Sequence, residues 1–301
     1  MADRYGKGVL PALAQRYQQL YLIPGAEGEE RYKAVVLRGE AVEEKGLTHF
    51  KMNDRDSLVS EETPAGSVQV VTLHERADFV LFLQIMAHRC TATVIPDTQG
   101  AMFLDGVIDW PKIRAHKEAF FASEAEQGRL FPDWPAEFKR FTADKANYTD
   151  ELIVLSEGPY SGIGAERVGM TEEDWLHRSL IIRKYHECTH FVCRKKHPEW
   201  IDAVWDELVA DAVGVYVAFG RLVPELVELF LGFDAKHYVG GRLANYVDEP
   251  DDAEKARRLN ALAPMLHDIL CNFESNARQQ TGIAPLEFAL ILESNYDELW
   301  R

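Results

Sequence analysis

The sequence predicts an α+β protein that is mostly helical. Two observations point there. Short β-branched runs such as residues 67–73 and 151–155 fall in the first half of the 301-residue chain. From Thr171 onward, nearly every segment repeats its apolar residues at helical spacing. A soft boundary near 165–170 separates a mixed α/β part, residues 1–167, from a helical metal-binding part, residues 168–301, within what can be one continuous domain.

Taken in order, residues 8–21 carry Val9, Leu10, Leu13, Tyr17, Leu20 and Tyr21 at helical spacing. Pro24-Gly25 ends this helix and a polar loop runs to Glu30. The next helix opens near Arg31 and Tyr32 and reaches about Glu44, punctuated by Gly39. Residues 51–67, with Pro64 and Gly66, read as a loop, and 67–73 (Ser-Val-Gln-Val-Val-Thr-Leu) as a strand. A helix over 77–88 follows, then a strand over 91–95 ended by Pro96, and another over 100–104 before a turn at Asp105-Gly106. Asp109 caps a helix that starts at Trp110-Pro111 and runs to about Ala122. Residues 128–149 are irregular with short helices. The strand 151–155 leads into a glycine-rich loop, 156–164, which either lines a cleft or simply connects. It is no phosphate loop, because no lysine follows its glycines.

The second half is punctuated clearly. Thr171 is an N-cap, Glu172, Glu173 and Asp174 fill a first turn, Arg194, Lys195 and Lys196 fill a last turn, and Pro198 stops the helix. The next helix runs from about Glu199 to Phe219 and ends at Gly220. Trp200, Ala203, Val204, Gly214, Val215 and Ala218 share one face, which includes Glu207 and Asp211 and excludes Asp202 and Asp206. Helices are expected over 224–231, 234–247, 253–280 and 285–300, with an acidic turn at 248–252.

Two of these helices carry the chemistry. Residues 183–190 read Arg-Lys-Tyr-His-Glu-Cys-Thr-His, which contains HExxH. On a helix, His186 and His190 lie one turn apart on one face and both imidazoles reach one metal ion. Glu187 lies about 100° further round. It is too close in sequence to share the ion, but well placed to touch a metal-bound water. Glu207 and Asp211 put two carboxylates on a buried helix face, where an unpaired charge costs on the order of several kcal/mol. A metal with a histidine partner removes that cost. Glu207 then serves as third ligand, and Asp211 accepts from the free ring nitrogen of one histidine. Three protein ligands with one open position is the composition of a catalytic zinc site.

Other readings stay open. His186 and His190 can be satisfied core histidines, with Glu207 paired to Arg183. Cys193, three residues after His190, can close a structural site as fourth ligand. Glu187-Cys-Thr-His190 is also the Glu-x-x-His of a di-iron bundle, although no second well-placed copy exists.

Composition narrows the partners. The net charge of −16 leaves no basic stripe for a nucleic acid and disfavours anionic membrane. It fits simple solubility, or cationic substrates, equally well. No stretch approaches the about 18 apolar residues of a membrane span, and the N-terminus leads into no signal-peptide core. Cys90, Cys188, Cys193 and Cys271 form no CxxC pair, so a reduced, cytoplasmic protein is expected.

HExxH followed on the next helix by Glu-x-x-x-Asp resembles the gluzincin branch of the zinc metallopeptidases, the thermolysin-like and aminopeptidase-like enzymes. The resemblance covers about residues 186–211, with a His190-to-Glu207 spacing slightly shorter than the family's. It implies a zincin-like fold, with a small N-terminal sheet, an active-site helix and a helical C-terminal part. It also implies Zn2+ held by His186, His190 and Glu207, with Glu187 as general base and Asp211 behind a histidine. The expected activity is zinc-dependent hydrolysis of a peptide or small amide. The alternative is a non-catalytic zincin-like protein whose metal serves stability or ligand binding. His237, Tyr238 and Tyr246 are candidate oxyanion donors. Arg183 is a candidate for a substrate carboxylate, or for an ion pair with Glu187 four residues on.

Overall fold

The computed structural model describes residues 8–42, 46–198, 202–279 and 282–300. It is a mostly helical α+β fold, about 58% helical, with a small four-stranded mixed sheet. In chain order the elements are α1 (Val9–Arg16), α2 (Ala26–Tyr32), β1 (Ser57–Thr63), β2 (Gly66–Leu73), α3 (Arg76–Met86), β3 (Ala101–Ile108), α4 (Trp110–Glu126), α5 (Trp134–Phe141) and β4 (Thr149–Ser156). The helical half follows as α6 (Glu172–Lys196), α7 (Ala203–Phe219), α8 (Pro224–Leu231), α9 (Asp252–Gln279), α10 (Pro285–Ser294) and α11 (Tyr296–Leu299). No helix among the described residues is long and apolar enough to cross a membrane.

The sheet order is β1-β2-β4-β3, so β1 and β3 are its edges. Composition follows position. The inner strands β2 and β4 bury Val68, Val70, Val71 and Leu73, and Leu152 to Leu155. The edge strand β1 is Ser-Leu-Val-Ser-Glu-Glu-Thr and stays largely uncovered, as a polar edge that resists pairing with other chains should.

By internal contacts the chain forms two units, one of residues 1–59, 71–95 and 104–154, the other of 60–70, 96–103 and 155–301. Residues 60–70 and 96–103 belong to the same unit as the helices from α6 onward. In the first unit, Leu10, Leu13, Tyr17, Leu20, Phe79, Phe82 and Leu83 are buried. Its buried acids are answered locally. Asp78 accepts from the Lys51 and Met52 backbone N–H groups at 2.9 and 2.8 Å. Asp109 caps α4 and takes Arg16 Nε at 2.8 Å. In the second unit α6 packs along α7, α10 lies against both, and Trp175, Phe191, Trp205, Phe230, Phe273 and Phe288 are buried.

Several segments depart from expectation for local reasons. Residues 26–30 are not a loop. Helix α2 starts at Ala26, with Glu27 and Glu29 in its first turn, where acidic side chains suit the helix dipole. The helix continues as a π turn only to Leu37, and the expected end at Glu44 lies outside the described residues. Within 51–67, β1 forms where a loop was expected, because an edge strand needs no apolar face. Residues 91–95 are not a strand. Arg89 and Cys90 take left-handed backbone, Thr93 N bonds Thr91 O at 2.8 Å, and Gln84 Nε2 captures Thr93 O at 2.7 Å.

Strand β3 runs through Asp105-Gly106 instead of turning there, with Gly106 at φ 81°. Residues 234–247 are turns and one short 3₁₀ segment rather than a helix. Gly232 and the Gly240-Gly241 pair meet backbone to backbone, so that a Cβ on Gly232 would lie 2.3 Å from Gly240 O. Helix α7 begins at Ala203 with Asp202 as its N-cap; Glu199 and Trp200, like Gln280 at the expected end of α9, lie outside the described residues. The last segment breaks at Asn295 into α10 and α11.

Candidate metal centre

The centre lies wholly within the second unit. Helix α6 starts where expected, with Thr171 Oγ1 accepting from Asp174 N at 3.2 Å. Its distance from α7 is set by one missing side chain: a Cβ on Gly214 would lie 2.9 Å from Ile182 O. From that contact the helices run antiparallel. One turn after Ile182, His186 meets Asp211; a further turn on, His190 meets Asp206 and Glu207.

Three donor atoms converge there. His186 Nε2 and His190 Nε2 are 3.0 Å apart, and Glu207 places Oε2 3.5 Å from the first and Oε1 3.6 Å from the second. Ligands at zinc–nitrogen and zinc–oxygen lengths in a tetrahedron are about 3.3 Å apart, so the triangle has the right size for one ion. Among the described residues, His186, His190 and Glu207 are the group of three that could hold a metal.

The far side of each ring decides its tautomer. His186 Nδ1 is 2.9 Å from Asp211 Oδ1, and His190 Nδ1 is 2.9 Å from Asp206 Oδ2, though off the hydrogen-bond line. A nitrogen facing a carboxylate carries a proton, which leaves Nε2 as the position for a metal ion or a second proton. The two Nε2 atoms face one another beside a carboxylate, and Glu207 Oε2 is buried without a hydrogen-bond partner. A cation relieves all of this at once. The local field agrees: burial lowers the pKa of His190, but Asp206, Glu207 and Glu187 outweigh it and push it up to about 9.

Asp211 is itself held. It is fully buried, Tyr160 donates its hydroxyl to Oδ1 at 2.5 Å, and Arg242 pairs with Oδ2. Burial would raise its pKa, yet Arg242, His186 and Tyr160 hold it at about 2. The loop carrying Tyr160 is fastened to α6, since Tyr160 N donates to Ser179 Oγ at 3.0 Å and Trp175 Nε1 to Ile163 O at 2.6 Å.

A cavity of about 480 Å³ opens beside these atoms. The sheet edge at Gly100–Phe103, Tyr160, Glu187 and Tyr246 are among the residues that line it. Of the candidate substrate contacts, Tyr246 and Arg183 line this cavity. His237 and Tyr238 do not: His237 faces Asp234 at 3.2 Å and Tyr238 donates to Gly241 O at 2.8 Å. Arg183 reaches back to the loop that precedes α6. It donates to Gly158 O at 2.5 Å and Pro159 O at 2.8 Å, and lies so flat on Gly100 that a Cβ there would be 2.2 Å from its Nε. The cation beside Glu207 is instead Arg242, at 3.5 Å. Cys193 is buried but does not join the three ligands.

Three contributors were missed from sequence. Asp206 falls off the apolar face of α7, yet an antiparallel register carries His190 to the residues one turn before Asp211. Tyr160 sits in the glycine-rich loop ahead of α6, a placement that does hint at the cleft. Arg242 was missed because its segment reads as a helix and folds instead as turns around a short 3₁₀ segment.

No curated protein and no solved structure matches the chain. A family model does match, over residues 2–292, and it carries the description of a family of unknown function (DUF7005). The chain belongs to that family.

Proposed function

We propose that this protein is a zinc-dependent hydrolase of peptides or small amides, with His186, His190 and Glu207 as metal ligands. One observation carries the reading: two histidines, each with Nδ1 against a carboxylate, aim their Nε2 atoms and Glu207 at one point on the wall of a cavity that Glu187 also lines. When bound, zinc supplies Lewis acidity, polarising a carbonyl and making water a nucleophile near neutral pH.

The chain's own groups do the rest. Glu187 accepts the proton from the attacking water and returns it to the leaving nitrogen. Asp211, gripped by Tyr160 and Arg242, fixes the ring of His186, and Asp206 fixes His190. Burial raises the pKa of Tyr246, which keeps its phenol protonated at the cavity wall as a donor for the developing oxyanion. A cavity of about 480 Å³ suits a short segment of substrate rather than a folded protein.

The test is zinc content per chain in the purified protein, followed by a peptide-library screen. About one zinc per chain is expected, with loss in His186→Ala and Glu207→Ala. Variants that hold as much zinc as the parent would sink the ligand assignment. Bound zinc with no hydrolysis of any peptide or amide would favour a binding protein instead.

A further inference from the structure

The cavity lining is rich in arginine for so acidic a chain. The protein carries 49 acidic and 33 basic residues, yet three arginines and two glutamates line this one space. Two of the arginines are committed. Arg183 is spent on the carbonyls of Gly158 and Pro159, and Arg242 on Asp211 and Glu207.

Arg194 is different. It follows His190 by four residues on α6, which places it one turn further along the face that carries His186 and His190, about 6 Å on along the axis. Its side chain is 57% exposed, and the nearest carboxylate among the described residues, Asp206 Oδ2, is 3.9 Å away, beyond hydrogen-bond distance. Its guanidinium lies 5.7 Å from the centre of the Phe103 ring, which lines the same cavity, and this contact holds it without using its donors.

We infer that Arg194 is a specificity residue, and that the site selects substrates bearing a carboxylate about one helical turn from the scissile bond. This rests on the hydrolase reading above. A planar guanidinium with free donors recognises a carboxylate through paired, charge-assisted hydrogen bonds. A divalent ion held by His186, His190 and Glu207 would offset the acids around it, which leaves Arg194 as the exposed cation that meets an anionic group. The carboxylate can belong to the end of a peptide or to an acidic side chain next to the cleaved bond. Both present the same group, and separate arms of one experiment distinguish them.

Four acetylated tetrapeptides serve as probes, identical except for Glu or Gln at the third position and a free acid or an amide at the end. Binding is measured by calorimetry on Glu187→Gln, which retains the cavity without turnover, and on the Glu187→Gln/Arg194→Gln double variant. Each protein is used both zinc-loaded and after chelation, with zinc content measured in every sample. The expected result is at least about tenfold tighter binding for one of the two added carboxylates, the gain of a hydrogen bond to a charged group, and its disappearance in the Arg194→Gln background. A gain from the terminal acid marks a carboxypeptidase-like substrate, and a gain from Glu an acidic side chain. If neither carboxylate tightens binding, or if the gain survives Arg194→Gln, the inference falls. Absence of zinc would count against the hydrolase reading alone, since the binding ratio in the chelated arm still reads Arg194.

Discussion

Glu187→Gln removes a base while leaving a neutral side chain of the same shape in the cavity wall. It should leave zinc content near the parent's value and lower turnover by at least about 100-fold, because general-base catalysis contributes on that scale. Undiminished turnover would defeat the proton-transfer role even with the metal in place. Asp211 acts one step back, through His186. Asp211→Asn keeps the shape but weakens the grip on Nδ1, so zinc affinity should fall by about 10–100-fold, and excess zinc should restore part of the activity. The same excess should not rescue Glu187→Gln. His186, Glu187, His190, Glu207 and Asp211 were legible in the sequence because helical spacing alone puts them on facing sides of two helices. Asp206, Tyr160 and Arg242 were not, because their contacts depend on the register between helices, on a glycine-rich loop with no period to read, and on a segment, 234–247, that reads as a helix but folds as turns.

At the scale of elements, Gly214 sets how far α6 stands from α7. Alanine would raise helix propensity by about 1 kcal/mol, but its Cβ would meet the backbone carbonyl of Ile182 at 2.9 Å, and backbone yields little. Crowding should win. Gly214→Ala is expected to lower the melting temperature, and Gly214→Val to lower it further and to weaken zinc retention, since widening the gap separates the histidines from Glu207. A Gly214→Val protein as stable as the parent and fully zinc-loaded would show that the close approach does not set the site. Capped helices such as α6 were readable because Thr171, the first-turn acids, the last-turn bases and Pro198 all agree. The polar edge strand β1 hid among turn residues, and 91–95 looked like a strand by composition alone. What denies it a ladder is the left-handed pair Arg89-Cys90 and the side chain of Gln84, which no pattern within the run reveals.

For the whole molecule, metal binding and pH are the two levers on stability. A ligand that binds only the folded state adds about 2.7 kcal/mol at a hundred times its dissociation constant. Chelation should therefore lower the melting temperature of the parent and leave that of His186→Ala unchanged. The pH lever is Glu293 on α10, which packs against both α6 and α7. Its carboxyl is buried, one oxygen has no partner, and burial together with the nearby Asp206 pushes its pKa up to about 7. The facing imidazole, His197 Nε2 at 3.4 Å, has a side chain 60% exposed and does not offset this. An unfolded glutamate titrates near about 4.3, so between that pH and about 7 the folded state holds a proton that the unfolded chain has released. Stability from this group is thus complete below about pH 4 and lost as the pH rises through 7. Glu293→Gln keeps a neutral side chain at every pH. Its denaturation midpoint should exceed the parent's at pH 8 by more than at pH 5, where the parent's own carboxyl is still protonated in the fold. An equal gap at both pH values, or a larger one at pH 5, would show that Glu293 is ionised in the folded protein and that its neighbours, His197 foremost, hold the charge.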